Sequence, residues 1–309
     1  MQTMLRQEIV KWLTEQGYCF TELTQVSEGE YAVEDSDWNY KDVAHLHYVH
    51  ALAEQLPFVL GRPVKCAVHL QKIFTFWLPM LNVSYDSEKF RQVYIFTLLS
   101  FIVIAETHSE AVGALKTRVT TRYSIGSPKL LFFVTPLLKW MIARNYRELM
   151  KDDIPMRERR GALRKLGYTF RMNGENYGFT DTLNNMESRL QLPPVANLKV
   201  SCRYMDLFAS GPEQYIGDIG LLGFRLVRDR QEVAIFFRAC PHEGASLDHL
   251  SCASGVITCP WHGRRLRPIA KFGWGQDANL VGRDYRVQVA GGELTIERLI
   301  DPPPLSNPV

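Results

Sequence analysis

Two periodicities alternate along the chain. Residues 3–17 carry apolar side chains at helical spacing, and "DWNYKDVAHLHYVHALAEQL" (37–56) predicts a second helix ending before Pro57. Runs rich in β-branched and aromatic residues then predict strands: "VKCAVHL" (64–70), "QVYIFTLLSFIVIAE" (92–106) and "ALKTRVTTRYSI" (114–125). After "GSP" a helical pattern runs from Lys129 to Asp153, with a kink expected at Pro136. Strands followed by one long helix predict an α+β architecture, an antiparallel sheet wrapped on a helix, whose concave face suits an apolar ligand. An Asn-, Gly- and Pro-rich stretch follows, with a short helix expected at "TDTLNNMESRL" and a domain boundary at "LPP" (192–194). Beyond it, "EVAIFFRA", "GVITCP" and "YRVQVAGGELTIERL" read as short strands, the last a hairpin turning at Gly291–Gly292, so the C-terminal third reads as all-β. The expected division is a first domain at 1–170, a linker at 171–199 and a second domain at 200–309.

Composition narrows the function. A net charge of +3 on 309 residues argues against a dedicated nucleic-acid binder. The local exception, "MRERRGALRK" (156–165), reads as a solvated helix face. The apolar run "VYIFTLLSFIVIA" has 13 residues, short of the roughly 18 that cross a bilayer. A second, "LLFFVTPLLKWMI" (130–142), is interrupted by Pro136 and Lys139. Both read as core elements, with peripheral membrane contact left open. The charged, amphipathic N-terminal segment lacks the apolar stretch of a secretory signal, and six cysteines then point to a reducing, cytoplasmic setting and to metal binding ahead of disulfides.

"CPHEGASL" (240–247) and "CPWHGRRL" (259–266) supply the first chemistry. They form Cys240-x-His242, 16 intervening residues, then Cys259-x-x-His262. Two thiolates suit one iron of a [2Fe-2S] cluster and two imidazoles the other, a mixed ligation that raises the potential above an all-cysteine ferredoxin. A zinc finger would instead group its cysteines in one half and its histidines in the other. Gly244 and Gly263, close behind the histidines, permit tight loops. Cys252, between the loops, reads as a buried structural thiol.

The first domain offers a second constellation. "DWNYKDVAHLHYVH" contains Asp42-x-x-His45-x-x-x-x-His50. Two imidazoles and a carboxylate from elsewhere make the facial triad of non-haem Fe(II) oxygenases. On a regular helix His45 and His50 lie about 140° apart, so they converge only if the helix bulges or ends between them. His47 reads as a packing residue or one that supports the ligands from behind, His69 as a core residue of its strand, Glu106 and His108 as turn-exposed at a strand end, and Asp37 as the N-cap of the helix.

The two loops resemble the Rieske iron-sulfur family. Ala245 and Trp261 stand where respiratory members carry an inter-loop disulfide, so the resemblance is to the lower-potential type of ferredoxins and ring-hydroxylating oxygenases. With Asp42, His45 and His50 the chain as a whole is similar to Rieske-type non-haem iron oxygenases, but with the helix-grip (START-like) catalytic domain first and the Rieske domain last. The resemblance implies that Asp42 links mononuclear iron to the cluster. It also implies a third iron ligand on the long helix, where Asp153 is favoured over Asp152 because the family's acid pair usually ligates through its second member. It further implies O2 as co-substrate, a separate NAD(P)H-dependent reductase or ferredoxin, an apolar organic substrate and a head-to-tail trimer. A second function fits the same residues: a START-like lipid-binding module joined to a Rieske electron carrier, with no mononuclear iron.

Overall fold

The computed structural model describes residues 6–42, 45–50, 53–60, 65–73, 76–171, 189–191, 199–217, 223–282 and 284–299. The chain divides into two compact units, one built on Met1–Ala162 with Asn173–Met186, the other on Glu187–Val309 with Leu163–Met172.

Helix α1 (Arg6–Glu15) leads into β1 (Tyr18–Gly29), followed by α2 (Val33–Lys41) and the short α3 (Leu46–Val49). Then come β2 (Ala53–Leu60), β3 (Lys65–Ile73), β4 (Phe76–Glu88), β5 (Arg91–Leu98), β6 (Phe101–Gly113) and β7 (Lys116–Pro128). Among the described residues these strands form one antiparallel sheet in the order β1-β7-β6-β5-β4-β3-β2. A 3-10 turn at Lys129–Val134 opens into the long helix α4 (Thr135–Lys165).

Alternation along β6 and β7 decides what covers each face of the sheet. Val103 and Ala105 share a face with their partners Ile125 and Tyr123, and Leu138, Tyr146 and Met150 of α4 pack there. Ile104 points the other way and joins Val93, Tyr85 and Leu13 of α1. A sheet gripping one long helix is the helix-grip architecture, and the first unit has it.

The inner stripe of α4 changes character along its length. Thr135, Leu138, Tyr146 and Met150 are buried in its first half, and Asp153, Arg157 and Arg160 are buried in its second. These positions follow the three- and four-residue spacing of one helix face. The polar half meets α2: Arg160 Nε donates to Asp35 Oδ1 at 2.9 Å, and its guanidinium lies 4.0 Å from the Trp38 ring centre. Gly161 lets the helix approach the chain before α2, because a Cβ there would sit 2.1 Å from Glu30 O.

In the second unit a small hairpin, β8 (Thr169–Arg171) and β9 (Arg189–Gln191), precedes two four-stranded sheets. Strands β10 (Lys199–Arg203), β11 (Glu213–Ile216), β12 (Phe224–Asp229) and β13 (Glu232–Phe237) are followed by the short β14 (Cys252–Ala253), β15 (Val256–Thr258) and β16 (Arg265–Leu266). Last come β17 (Ala270–Gly273), β18 (Ala278–Val281), β19 (Tyr285–Ala290) and β20 (Glu293–Arg298). One sheet runs β10-β20-β19-β18, the other β11-β12-β13-β17, and Phe224, Leu226, Ile235, Val287, Leu294 and Ile296 bury between them. The expected hairpin turn is present, with both Gly291 (φ +59°) and Gly292 (φ +81°) left-handed.

Several expectations need correction. The helix read over 37–56 is two helices and the start of a strand, since α2 stops before Asp42 and β2 begins at Ala53 and runs through Pro57. The strand read over 92–106 is two strands turning at Leu99–Ser100, and β1 and β4 were not expected. Pro136 makes no kink: it occupies the first turn of α4, where a missing N–H is harmless, and Pro155 lies in the helix interior instead. The "MRERR" stretch is not wholly a solvated face, because Arg157 and Arg160 are fully buried. Nor is "LLFFVTPLLKWMI" simply core, because Leu130, Phe132, Phe133, Leu137 and Trp140 are exposed. The short helix expected at "TDTLNNMESRL" and the "LPP" boundary fall outside the described residues, except that Arg189 and Leu190 belong to β9.

Candidate metal centres

Helix α2 ends at Asp42, whose backbone leaves the helical region (φ −81°, ψ 82°) while its N–H still bonds Trp38 O at 2.9 Å. Helical conformation resumes at His45 and ends again at His50 (φ −100°, ψ 115°). It is the exit from helical conformation at His50, not the break after Asp42, that frees the pair from the 140° splay of an unbroken helix, and the two imidazole centres lie 5.2 Å apart. From α4, Asp153 Oδ1 approaches His45 Nε2 at 3.3 Å and His50 Nε2 at 3.2 Å. All three side chains are buried, and neither nitrogen has hydrogen-bonding geometry to any partner. Two imidazole nitrogens and a carboxylate oxygen therefore converge without satisfying one another. Their ligand atoms lie within 4.8 Å of each other, and this donor set fits a divalent transition metal.

Neighbouring groups fix the three from behind. Asn39 Nδ2 donates to Asp153 Oδ1 at 3.2 Å, and Arg157 Nη2 reaches Asp153 Oδ2 at 3.4 Å. Arg157 also donates from Nε and Nη2 to Asn39 Oδ1, at 2.8 and 2.5 Å, locking the amide's orientation. The outer nitrogen of each imidazole is engaged: His45 Nδ1 with the main-chain oxygen of Asp42, His50 Nδ1 with Asp152 Oδ2 at 3.2 Å. Such outer contacts orient a ring so that Nε2 faces inward. Asp42 Oδ2 lies 3.6 Å from His45 Nδ1. Burial alone would lower the His45 pKa, but Asp153 and Asp42 outweigh it and push it up to about 9. Burial would likewise raise Asp153, yet His45, His50 and the Arg157 charge hold its carboxyl well below the usual range.

Other residues singled out in the sequence lie elsewhere. His47 is exposed, its ring 4.7 Å from that of Tyr48. Asp37 does not cap α2, which begins after Ala32; its carboxylate sits inside the helix, accepting from Gln92 Nε2 at 3.1 Å and Lys41 Nζ at 2.8 Å. Glu106 and His108 are in the middle of β6, not at its end, and Glu106 faces Arg6 at 3.8 Å. His69 falls in β3.

In the second unit, β13 runs into the Cys240 loop and β15 into the Cys259 loop, and one backbone pattern shapes both. Cys240 N–H donates to Ala245 O and Gly244 N–H to Cys240 O, each at 2.8 Å. Cys259 N–H donates to Arg264 O at 2.8 Å and Gly263 N–H to Cys259 O at 2.9 Å. Each loop closes on a left-handed glycine, with φ +85° at Gly244 and +62° at Gly263. Leu190 N–H ties the first loop to β9 by donating to Pro241 O at 3.1 Å and His242 O at 3.0 Å. Cys240, His242, Cys259 and His262 are all buried, and the two imidazoles meet nearly edge to face, 4.9 Å between centres. A hydrogen bond between the thiols holds Cys259 below and Cys240 above the usual thiol pKa, so one of the pair is poised as a thiolate. Two sulfurs and two imidazoles on matching loops are the donors a mixed-ligated [2Fe-2S] cluster requires.

Comparison with known proteins agrees with that chemistry: residues 212–274 match the Rieske [2Fe-2S] domain family. The second unit contains a Rieske domain. Domains of this type are typical of oxidoreductases. No curated protein sequence matches the chain. Among solved structures it is similar to the Zhui aromatase/cyclase of Streptomyces sp. R1128, at 10% identity and TM-score 0.40 over 46% of this chain and 96% of that one. It is also similar to a START superfamily protein of Mycobacterium smegmatis (12% identity, TM-score 0.38, 44% and 97% covered). A third likeness is to the di-domain aromatase/cyclase BexL of the BE-7585A biosynthetic pathway (10% identity, TM-score 0.37, 90% and 83% covered).

Sequence reasoning missed Asn39, Arg157 and Glu243. Arg157 follows Asp153 by four residues, a helical spacing at which opposite charges meet, and Asn39 lies three before Asp42. Glu243, inside the first loop of the Rieske domain, is buried with its carboxylate 3.9 Å from both His242 Nε2 and His262 Nε2. No described helix is long and apolar enough to cross a membrane.

Proposed function

We propose that the protein is a Rieske-type oxygenase that oxidises an apolar organic substrate with O2, using electrons from a separate NAD(P)H-dependent reductase or ferredoxin. In this reading residues 1–170 are the catalytic domain and residues 200–309 the electron-transfer domain. The observation that carries it is the buried convergence of His45 Nε2, His50 Nε2 and Asp153 Oδ1, a donor set with no structural need in a sheet-and-helix core. His45, His50 and Asp153 would hold mononuclear Fe(II); Cys240, Cys259, His242 and His262 would hold the cluster. When bound, the cluster supplies single electrons and the Fe(II) a centre for O2 activation.

The chain's own residues prepare both sites. Arg157 and Asn39 keep Asp153 ionised and oriented, and His45 must give up the proton that Asp153 and Asp42 favour on it before its nitrogen can ligate. Asp42, beside His45, is the residue through which an electron arriving from the cluster would be relayed.

Counting iron tests the reading. An oxygenase takes up about three iron atoms per chain, whereas a lipid-binding module fused to an electron carrier takes up about two. Protein with an intact cluster that never binds the third iron sinks the oxygenase reading and leaves the carrier. Asp153→Ala is expected to lose only the mononuclear iron; loss in Asp152→Ala and not in Asp153→Ala would move the ligand to the neighbouring acid.

A further inference from the structure

One end of the first unit presents apolar side chains to solvent. β6 begins and β7 ends there, so the Leu99–Ser100 turn and the Lys129–Val134 segment emerge from the same edge of the sheet. In the 3-10 turn the three-residue period directs Leu131 and Val134 inward and leaves Lys129, Leu130, Phe132 and Phe133 outward. The first turns of α4 continue the pattern: Leu138 is buried while Leu137 and Trp140 face out. Leu130 is 88% exposed, Phe133 78% and Leu99 87%, values that a solvated protein surface rarely combines in one place.

The charges on the segments that build this apolar end are basic. Residues 123–147, from the end of β7 into α4, carry Lys129, Lys139, Arg144 and Arg147 and no carboxylate, and the nearest acid along the adjoining β1 side is Glu15 at the end of α1. Lys129 and Arg144 are exposed, Lys139 is partly exposed, and the Arg144 guanidinium lies 5.6 Å from the Trp140 ring centre. Outward aromatic and aliphatic side chains collared by basic ones, with a tryptophan at the boundary, match an anionic bilayer surface: the apolar groups enter the acyl region and the cations meet the headgroups. We infer that Leu99, Leu130, Phe132, Phe133, Leu137 and Trp140 form a wedge that seats the first unit on an anionic lipid surface. A collar in which Lys129, Lys139 and Arg144 outnumber the single Glu15 suits this occupant better than a second copy of the chain, whose own wedge would bring like charges together. The inference is independent of whether the first site holds iron.

Flotation of the full-length protein with vesicles tests it. Protein should float with vesicles of phosphatidylcholine containing about one-third phosphatidylglycerol and bind pure phosphatidylcholine far less, the difference shrinking as salt is raised. Leu130→Glu with Phe133→Glu should lower the partition coefficient more than about tenfold. Lys129→Glu with Lys139→Glu should weaken binding to the anionic vesicles alone. Bromolipids should quench tryptophan emission in the native protein and much less in Trp140→Phe. Unchanged cluster absorption and melting temperature confirm that each variant is folded. Failure of the native protein to float with anionic vesicles, or equal flotation of the Leu130/Phe133 variant, overturns the inference. So does a concentration-dependent dimer that Phe133→Glu dissociates while vesicle binding is absent.

Discussion

The backbone hydrogen bonds that shape the cluster loops close within six residues, as from Cys240 N–H to Ala245 O. The histidine site of the first unit is instead assembled from positions 39, 42, 45, 50, 153 and 157, with more than a hundred residues between its halves. Both bury two imidazoles about 5 Å apart, so the difference lies in what holds the rings. The loops rest chiefly on their glycines and the short strands that feed them, with one tie from the first loop to β9. The first site needs α2 docked against α4, and so depends on the buried Asp35–Arg160 ion pair and the Arg157–Asn39 hydrogen bonds between those helices. A local site stays intact when a remote part of the fold loosens; a long-range one does not.

Reciprocal substitutions should separate the two most sharply. Cys259→Ala should remove the visible absorption of the cluster while Fe(II) still binds the first site, and His50→Ala should do the reverse, with metal content and spectra as the readouts. A single substitution that emptied both sites would show that they are not independent. Next in size, Asp35→Ala removes the carboxylate that pairs with the fully buried Arg160 and should cost the first unit about 3–5 kcal/mol, seen as a lowered first transition in calorimetry with the cluster spectrum retained. Asn39→Ala frees one side of Asp153 and should weaken Fe(II) binding roughly 10–100-fold, measured by competition with a chelator, again with no change in the cluster. Smallest, Gly244→Ala forces a left-handed residue to carry a Cβ 2.5 Å from Leu163 Cδ1 and should destabilise the second unit by about 1–3 kcal/mol. Fe(II) affinity at the first site should not move in that variant; if it does, the contrast drawn between the sites is wrong.

The same contrast of length scales explains what could be read in advance. Cys240, His242, Cys259 and His262 announce themselves because ligand and loop chemistry share a few consecutive residues. His45 and His50 are visible as a motif, but the helical pattern around them continues past the true helix end: nothing in "DWNYKDVAHLHYVH" marks a stop at Asp42 with the strength of a glycine or proline. Arg157 and Arg160 look like solvent-facing charges in a stretch of alternating sign, and only the path of α4 across α2 turns them inward. Leu130 and Phe133 mislead in the opposite sense, since apolar runs are ordinarily core, and a three-residue period in place of a helical one puts these two outside. The α+β architecture of the first unit and the β-rich second unit were both readable, because their periodicities switch cleanly.

The break after α2 carries an implication for mutagenesis. His45 Nδ1 bonds the main-chain oxygen of Asp42, a contact that no side-chain replacement at that position deletes. The tautomer and pitch of the His45 ring are thus written into the backbone, and Asp42→Asn or Asp42→Ala would leave them in place. What such a variant changes is the carboxylate's charge beside the ring, which helps raise the His45 pKa, so its effect on metal affinity should grow as the pH falls while the ring's orientation stays fixed.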